Sequence, residues 1–362
     1  MTRETRSSGS SEPKIGRTQI RLLERLTNAL AVSGDEGAVR KIVLEQVEPH
    51  ADAVQVDAVG NVLVTRHGEA EARPRVMLAA HMDEVGFMLT HDDGNGIFRF
   101  ETVGGLDVRQ LAGKAVWVGR EKFPGVIGAK PIHLAKAEER KKSISLDGLR
   151  IDVGAVKEKV KVGDRAVFST PFKRLGPSLR AKALDDRLGV ATLIELLRHA
   201  PSNIDLLAAF TVQEEVGLRG ARVAAYALEP DMAIVLDSTP AMDLPMWDDE
   251  ENTRYNTRLG AGPAIYVADR ATLSDPRLIR HLVETAEAES IPYQFRQPGG
   301  GGTDAGSIHR QRSGIPSISI SVPGRYLHTA ASFVRLEDWR NTFALVHAAL
   351  SRLSPEILTN ER

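Results

Sequence analysis

Leu206–Gly217 reads LLAAFTVQEEVG. The stretch is almost wholly apolar as far as Val212 and then meets two adjacent carboxylates, Glu214 and Glu215. An unbroken apolar run of this length is the pattern of a parallel strand buried on both faces, not the alternation of a half-exposed one. In open α/β sheets, chemistry collects just beyond the carboxyl ends of the strands. Two charges at the end of a buried run are costly unless a cation or partner holds them. A surface turn carrying two glutamates is the plain alternative, so the reading depends on whether other apolar runs end the same way.

They do. Arg75–Ala80, RVMLAA, stops at His81, followed by Met82, Asp83 and Glu84. Asp231–Leu236, DMAIVL, stops at Asp237, and Ser317–Val322, SISISV, is followed shortly by Tyr326, Leu327 and His328. Asp185 and Asp186 instead open an amphipathic helix running to about His199. Imidazoles and carboxylates are the groups that hold divalent cations. Asp185 reads either as a helix-start carboxylate accepting backbone N–H bonds or, more sharply, as a carboxylate that bridges two cations. Asp186 reads as a helix-start residue accepting backbone N–H bonds, with Arg187 as another partner.

The 362 residues suffice for a large core and two domains. A formal net charge of −1 argues against nucleic acid as the main partner. The chain has no cysteine, which removes disulfides, thiolate metal sites and a Cys nucleophile and suits a reducing cytoplasm. Any metal must therefore use His, Asp and Glu. No apolar run approaches membrane-spanning length, so no membrane partner is expected. Residues 1–13 are polar, lack the apolar core of a secretory signal, and read as a disordered tail.

Apolar spacing predicts helices over Ile20–Leu30 and Ala38–Val47, with Ser33 or Asp35 capping the second. Val54–Asp57 and Asn61–Arg66 read as a hairpin. His81 and Asp83 lie two apart in extended chain and share a face, so Asp83 can fix the tautomer of the His81 ring. From Gly86 to about Lys173, β-rich pieces at Ile97–Thr102, Ala115–Val118, Val126–Ile127 and Val160–Phe168 alternate with turn residues. This reads as a small β-barrel or sandwich inserted between two halves of an α/β domain. Residues 120–174 hold 14 Lys plus Arg against 7 Asp plus Glu, read as a solvated face, a charged rim or a subunit contact. Only Phe123, Phe168 and Phe172 are aromatic in this segment, too few for the interleaved stacking platform of a nucleic-acid surface. Helices at Arg219–Glu229, Pro276–Glu289 and Leu336–Leu353, with a strand at Ala264–Ala268, complete an α/β alternation. The Gly-rich Gln297–Gly306, QPGGGGTDAG, lacks the phosphate-loop pattern, and Asp304 reads as a plain helix N-cap.

His81, Asp185, Glu215, Asp237 and His328, with Asp83 and Glu214 beside them, could hold two cations about 3.5–4 Å apart through one bridging carboxylate. Of Glu214 and Glu215, one would bind and the other act as general base, because neighbours in extended chain point opposite ways. The implied chemistry is attack by an activated water.

HMDEVG at 81–86, ALDDRLG at 183–189, QEEVGLRGA at 213–221, Asp237–Ser238, GGGGTDAG at 299–306 and YLHT at 326–329 together resemble the tetrahedral aminopeptidases. These include the glutamyl aminopeptidase and "cellulase M" type dinuclear metallopeptidases. The resemblance spans about Ile20 to Leu353, in the family's order. It implies that His81 and Asp237 bind one metal, Glu215 and His328 the other, and that Asp185 bridges them. Glu214 would be the general base and Asp83 would orient His81. It also implies a mixed-sheet α/β peptidase domain, residues 14–84 and 174–355, interrupted by a small β dimerisation domain at 85–173. The activity implied is removal of N-terminal residues from short peptides with two zinc or cobalt ions per subunit. Dimers would assemble into a twelve-subunit cytoplasmic shell. The polar loop Ala241–Gly260 and the compact insert depart from the family pattern.

Other readings remain at this stage. A di-metal carboxypeptidase or deacylase would need an Arg placed for a substrate carboxylate. An endoglucanase would leave the histidines without a role. A non-catalytic shell protein would leave the whole constellation without one.

Overall fold

The computed structural model describes residues 13–154, 159–245, 257–296 and 301–359. The polar N-terminal residues, part of the 241–260 loop and residues 297–300 lie outside these. Helices α1 (Arg17–Asn28) and α2 (Gly37–Val47) lead into strands β1 (Ala53–Val56), β2 (Val62–Arg66) and β3 (Arg75–His81). Then come β4 (Gly86–Gly94), β5 (Ile97–Val103), β6 (Ala115–Val118), β7 (Phe123–Ala129), the short α3 (Ala137–Arg140), β8 (Leu149–Asp152) and β9 (Arg165–Phe168). After β10 (Lys173–Leu175) and β11 (Ser178–Ala181) follow α4 (Leu184–Arg198), β12 (Asp205–Thr211), α5 (Arg219–Leu228) and β13 (Met232–Pro240). The chain finishes with β14 (Ala264–Tyr266), α6 (Pro276–Ala288), β15 (Gln294–Arg296), α7 (Ala305–Ile308), β16 (Ser317–Arg325), β17 (Ser332–Arg335) and α8 (Leu336–Ser351).

The strands form a mixed sheet and a barrel. The sheet runs β1-β2-β12-β3-β13-β16-β17-β11-β10, with β14 pairing β15 and β16; the barrel closes as β4-β5-β8-β7-β6-β9. The four central strands, β12, β3, β13 and β16, are mutually parallel. All seven residues of β12 are buried because both its faces are covered. Leu206, Ala208 and Phe210 join the core built with α1, α2, α4, α6 and α8. Leu207 and Ala209 join the opposite one, built with α5 and α7. Alternate residues of a strand point to opposite faces, so a strand between two helical layers must be apolar throughout.

The barrel has its own core, in which Phe87 packs edge-on to Phe100 and Phe168 at 5.2 Å. Two of its strands, β4 and β8, are absent from the sequence expectation; β8 does alternate, as LRID, but over only four residues. Strand β4 slips register twice against β5, between Leu89 and His91 and between Asp92 and Gly94, so its pattern breaks with its pairing. The Val160–Phe168 stretch forms a strand only from Arg165.

The cap of α2 also differs from expectation. Glu36 occupies the N-cap position without a side-chain cap bond. Asp35 instead pairs with Arg120 at 2.7 Å. Ser33 donates to Asp83 Oδ2 at 2.6 Å, so the turn before α2 reaches toward the strand ends.

Candidate active site

Four parallel strands deliver their C-terminal ends to one edge of the sheet, and the motif residues gather there. His81 ends β3, opposite Thr211 in the register with β12. Asp237 lies in β13, opposite Ser321 of β16. Glu214 and Glu215 follow β12 past a turn at Gln213, whose φ of 56° takes the chain out of extended geometry. His328, also at a φ of 56°, sits in the turn after β16.

Asp185 and Asp186 have non-helical dihedrals, so regular α4 begins after them. Asp186 then anchors the helix: Gly189 N donates to its Oδ1 at 3.0 Å, and His81 N to its Oδ2 at 3.2 Å. Its expected capping role holds. Arg187, however, turns away to Leu26 O and Glu84. Asp185 is left facing the histidines. Its Oδ1 lies 3.3 Å from His81 Nε2 and its Oδ2 3.4 Å from His328 Nε2. His328 Nε2 is 3.3 Å from Glu215 Oε2, and His81 Nε2 is 3.9 Å from Asp237 Oδ1.

Asp83 is fully buried beneath this set. It accepts from Glu214 N at 3.1 Å, Glu215 N at 3.2 Å and Ser33 Oγ at 2.6 Å. Its Oδ1 is 3.6 Å from His81 Nδ1, just beyond hydrogen-bond length. It thus ties the β12 loop to the end of β3. His328 Nδ1 lies 2.9 Å from Gly105 O, contributed by the loop after β5. A carbonyl only accepts, so Nδ1 carries the proton and Nε2 faces Asp185 and Glu215.

The electrostatics are unbalanced. Burial pushes Glu214 and Asp237 well above the ordinary carboxylate range and Glu215 up to about 7. Burial alone would lower the two imidazoles. The Asp185 carboxylate leads the contacts that override it, leaving His81 well above its ordinary value and His328 at about 10. Asp304 departs from the plain N-cap reading. It makes no cap bond; its Oδ2 accepts from Thr211 Oγ1 at 2.6 Å while its Oδ1 is buried without a partner, and burial raises it to about 6.

Two imidazoles cannot neutralise so many buried carboxyls, and divalent cations would. Two donors about 2.0–2.1 Å from a tetrahedral cation lie about 3.3–3.4 Å apart. Three of the four distances above match that value. Asp185 Oδ1 is, moreover, a buried oxygen without a hydrogen-bond partner. Among the described residues, two groups bring donor atoms within 4.8 Å of one another: His81, Asp186 and Asp237, and Asp185, Glu215 and His328. The residues fit a divalent metal centre.

The cleft over this set has a volume of about 850 Å³. Besides the acidic cluster it is lined by Tyr266, Arg270, Arg296 and Arg310, none of which the sequence singled out. They come from separate segments without a shared motif, so only the fold unites them.

The chain belongs to the M42 glutamyl aminopeptidase family, whose model matches residues 60–345. It is 32% identical to the lysyl aminopeptidase of Pyrococcus furiosus over 92% of this chain and 97% of that one. Its fold matches an aminopeptidase from the archaeon Desulfurococcus kamchatkensis with a TM-score of 0.88 and 36% identity, covering 94% of this chain and 96% of that one. It also matches the TET1 peptidase of Pyrococcus horikoshii, described as able to assemble into a tetrahedron or a large octahedral shell. There the TM-score is 0.80 and the identity 34%, over 92% of this chain and all of the other. The protein is therefore a metallopeptidase of the aminopeptidase class.

Proposed function

We propose that the protein removes N-terminal residues from short peptides using two divalent cations, zinc or cobalt, per subunit. One observation carries this: the two oxygens of Asp185 lie within 3.4 Å of two different imidazoles. On this reading His81 and Asp237 hold one cation, Glu215 and His328 the other, and Asp185 both. Asp186, though close to His81 and Asp237, already has backbone donors on both oxygens. When bound, the cations polarise the scissile carbonyl and acidify a water.

The chain's own groups do the rest. Glu214, lifted well above the carboxylate range by burial, takes the proton of the attacking water and returns it to the leaving amine. Asp83 positions His81 and, through the amides of Glu214 and Glu215, the base and a ligand together. The acidic cluster receives the substrate's α-ammonium.

The reading extends to organisation. Residues 14–84 and 174–355 act as the catalytic domain and 85–173 as a dimerisation domain. Dimers assemble into a dodecameric shell, as the relatives' tetrahedral assembly suggests. The cysteine-free composition suits a cytoplasmic location.

The test is a panel of aminoacyl-p-nitroanilides and their N-acetylated forms, with EDTA and then zinc or cobalt. Cation-dependent cleavage of the free-amine forms alone is the expected result. Glu214→Gln should lose turnover by at least about 100-fold while cations stay bound; activity near wild type would refute the base assignment.

A further inference from the structure

We infer that the arginines of the catalytic cleft form a subsite for a carboxylate of the peptide substrate, an inference that rests on the aminopeptidase reading above. Arg270, Arg296 and Arg310 all line the cleft that holds the acidic cluster. Each is held there by identifiable contacts. Asp269 Oδ1 accepts from Ala271 N and Thr272 N at 2.7 Å, which closes a turn around Arg270. Arg270 N donates to Gly301 O at 3.1 Å. Ala271 packs so closely on Gly306 that a Cβ there would collide with its own. The turn therefore seats against α7, two residues before Arg310. Arg310 Nε donates to Gly306 O at 2.8 Å. The Arg270 turn and Arg310 thus share one support.

Arg296, at the end of β15, is only 5% exposed. Its guanidinium lies 4.6 Å over the Tyr266 ring, and its Nε donates to Thr239 Oγ1 at 3.1 Å. These contacts help hold a buried guanidinium at the cleft wall, so its position is set before substrate arrives. Arg270 and Arg310 are exposed, and neither makes an ion pair among the described residues.

A guanidinium's planar fork suits a carboxylate, with which it forms paired hydrogen bonds. The cleft thus offers a peptide two unlike environments: carboxylates for its α-ammonium and guanidiniums for a negative charge further along. That negative charge has two possible sources. One is the side chain of an acidic first residue; the other is the C-terminal carboxylate of a short peptide. The family does not decide between acidic and basic first residues, since its model is named for glutamyl and a close relative for lysyl activity. A lysyl side chain would meet like charge here.

The experiment compares matched pairs on the cation-loaded protein: glutamyl against glutaminyl p-nitroanilide, and trialanine against its C-terminal amide. Lysyl p-nitroanilide is included as the like-charge control. A charge-assisted hydrogen-bond pair should favour the acid member of one pair by about tenfold to a hundredfold in kcat/KM. Preference for the glutamyl anilide identifies the side chain as the source; preference for the free tripeptide identifies the C-terminus. In the Arg270→Ala/Arg310→Ala double variant that ratio should collapse toward one, mainly through KM. Titration calorimetry on cation-loaded Glu214→Gln reads the same pairs as binding, without turnover. If no anilide is cleaved but the acid members still bind more tightly, the reaction is wrong and the subsite stands. Equal binding of acid and neutral members, faster cleavage of lysyl than glutamyl anilide, or a ratio that survives in the double variant would overturn the subsite.

Discussion

Two buried acidic regions lie three residues apart in sequence and are solved in opposite ways. Glu84 is 3% exposed, and its carboxylate accepts from Lys182 Nζ at 2.7 and 2.8 Å, Arg187 Nη2 at 3.2 Å and Ala31 N at 3.2 Å. Lys182 Nζ also reaches Ala29 O, and Arg187 reaches Leu26 O, both in or beside α1. Burial lowers Lys182 to about 8. Here the chain supplies its own cations and the cluster is closed. At His81, Asp185, Glu214, Glu215, Asp237 and His328 it supplies only two imidazoles. A buried carboxylate must be paired, protonated or bound to metal; the first cluster takes the first course, and the second is left to the third. The closed cluster also serves the open one, since Glu84 follows the His81 loop while Lys182 and Arg187 flank Asp185.

The largest effect separating the two should come from cation removal. Stripping the protein with EDTA should abolish peptidase activity, and zinc or cobalt should restore it, with no need to refold the Glu84 cluster. Full activity in the stripped protein would erase the distinction.

Substitution should act in opposite senses on stability. Glu84→Gln leaves two buried cations without their anion and should cost about 3–5 kcal/mol in urea unfolding. Glu214→Gln in stripped protein removes a buried carboxyl without a cationic partner and should be neutral or stabilising. Equal losses at both positions would show that the clusters are alike.

The pH dependence sharpens the same contrast. His328 is raised from its ordinary 6.5 to about 10, and Glu215 from 4.5 to about 7. A group whose pKa is raised on folding contributes stability that is complete below its unfolded value and lost as pH rises through the folded one. Through these two groups the stripped protein should therefore lose Tm from about pH 4.5 up to about pH 10. Lys182 is lowered on folding and acts in the reverse sense, since its burial cost is relieved only from about pH 8 to 10.5. Cation-loaded protein, with these ligands fixed in their deprotonated forms, should show a much flatter curve in differential scanning calorimetry.

Ser33→Ala should have the smallest effect. It removes one of three donors to Asp83 and should lower kcat by about tenfold or less, on the scale of a single hydrogen bond. A loss as large as that of Glu214→Gln would make the Asp83 network, not the base, the critical element.

The readable parts of the sequence were those in which one residue's burial imposes a pattern. Strand β12 is apolar on both faces because helices cover both, and its end marked the site. The same held for His81, Asp237 and the turn carrying His328. Ser33 was misread as a helix cap because a Ser-Gly-Asp turn suits a cap equally well; its partner lies fifty residues on. Asp304 was misread because the bond that matters runs across space to Thr211. Strand β4 was missed where bulges break its alternation. The arginine wall left no local trace, because Arg270, Arg296 and Arg310 meet only through Tyr266, Gly306 and the close packing of Ala271.

The central claim is that the acidic cluster is incomplete without divalent cations and that Asp185 joins two of them. Titration of stripped protein with cobalt, followed by calorimetry and by activity, tests it directly in wild type and in Asp185→Ala. The account predicts two cations per chain in wild type, activity rising with occupancy, and weakened binding of both in the variant with loss of turnover. One cation per chain in wild type, or two bound with unchanged affinity in Asp185→Ala, would contradict it.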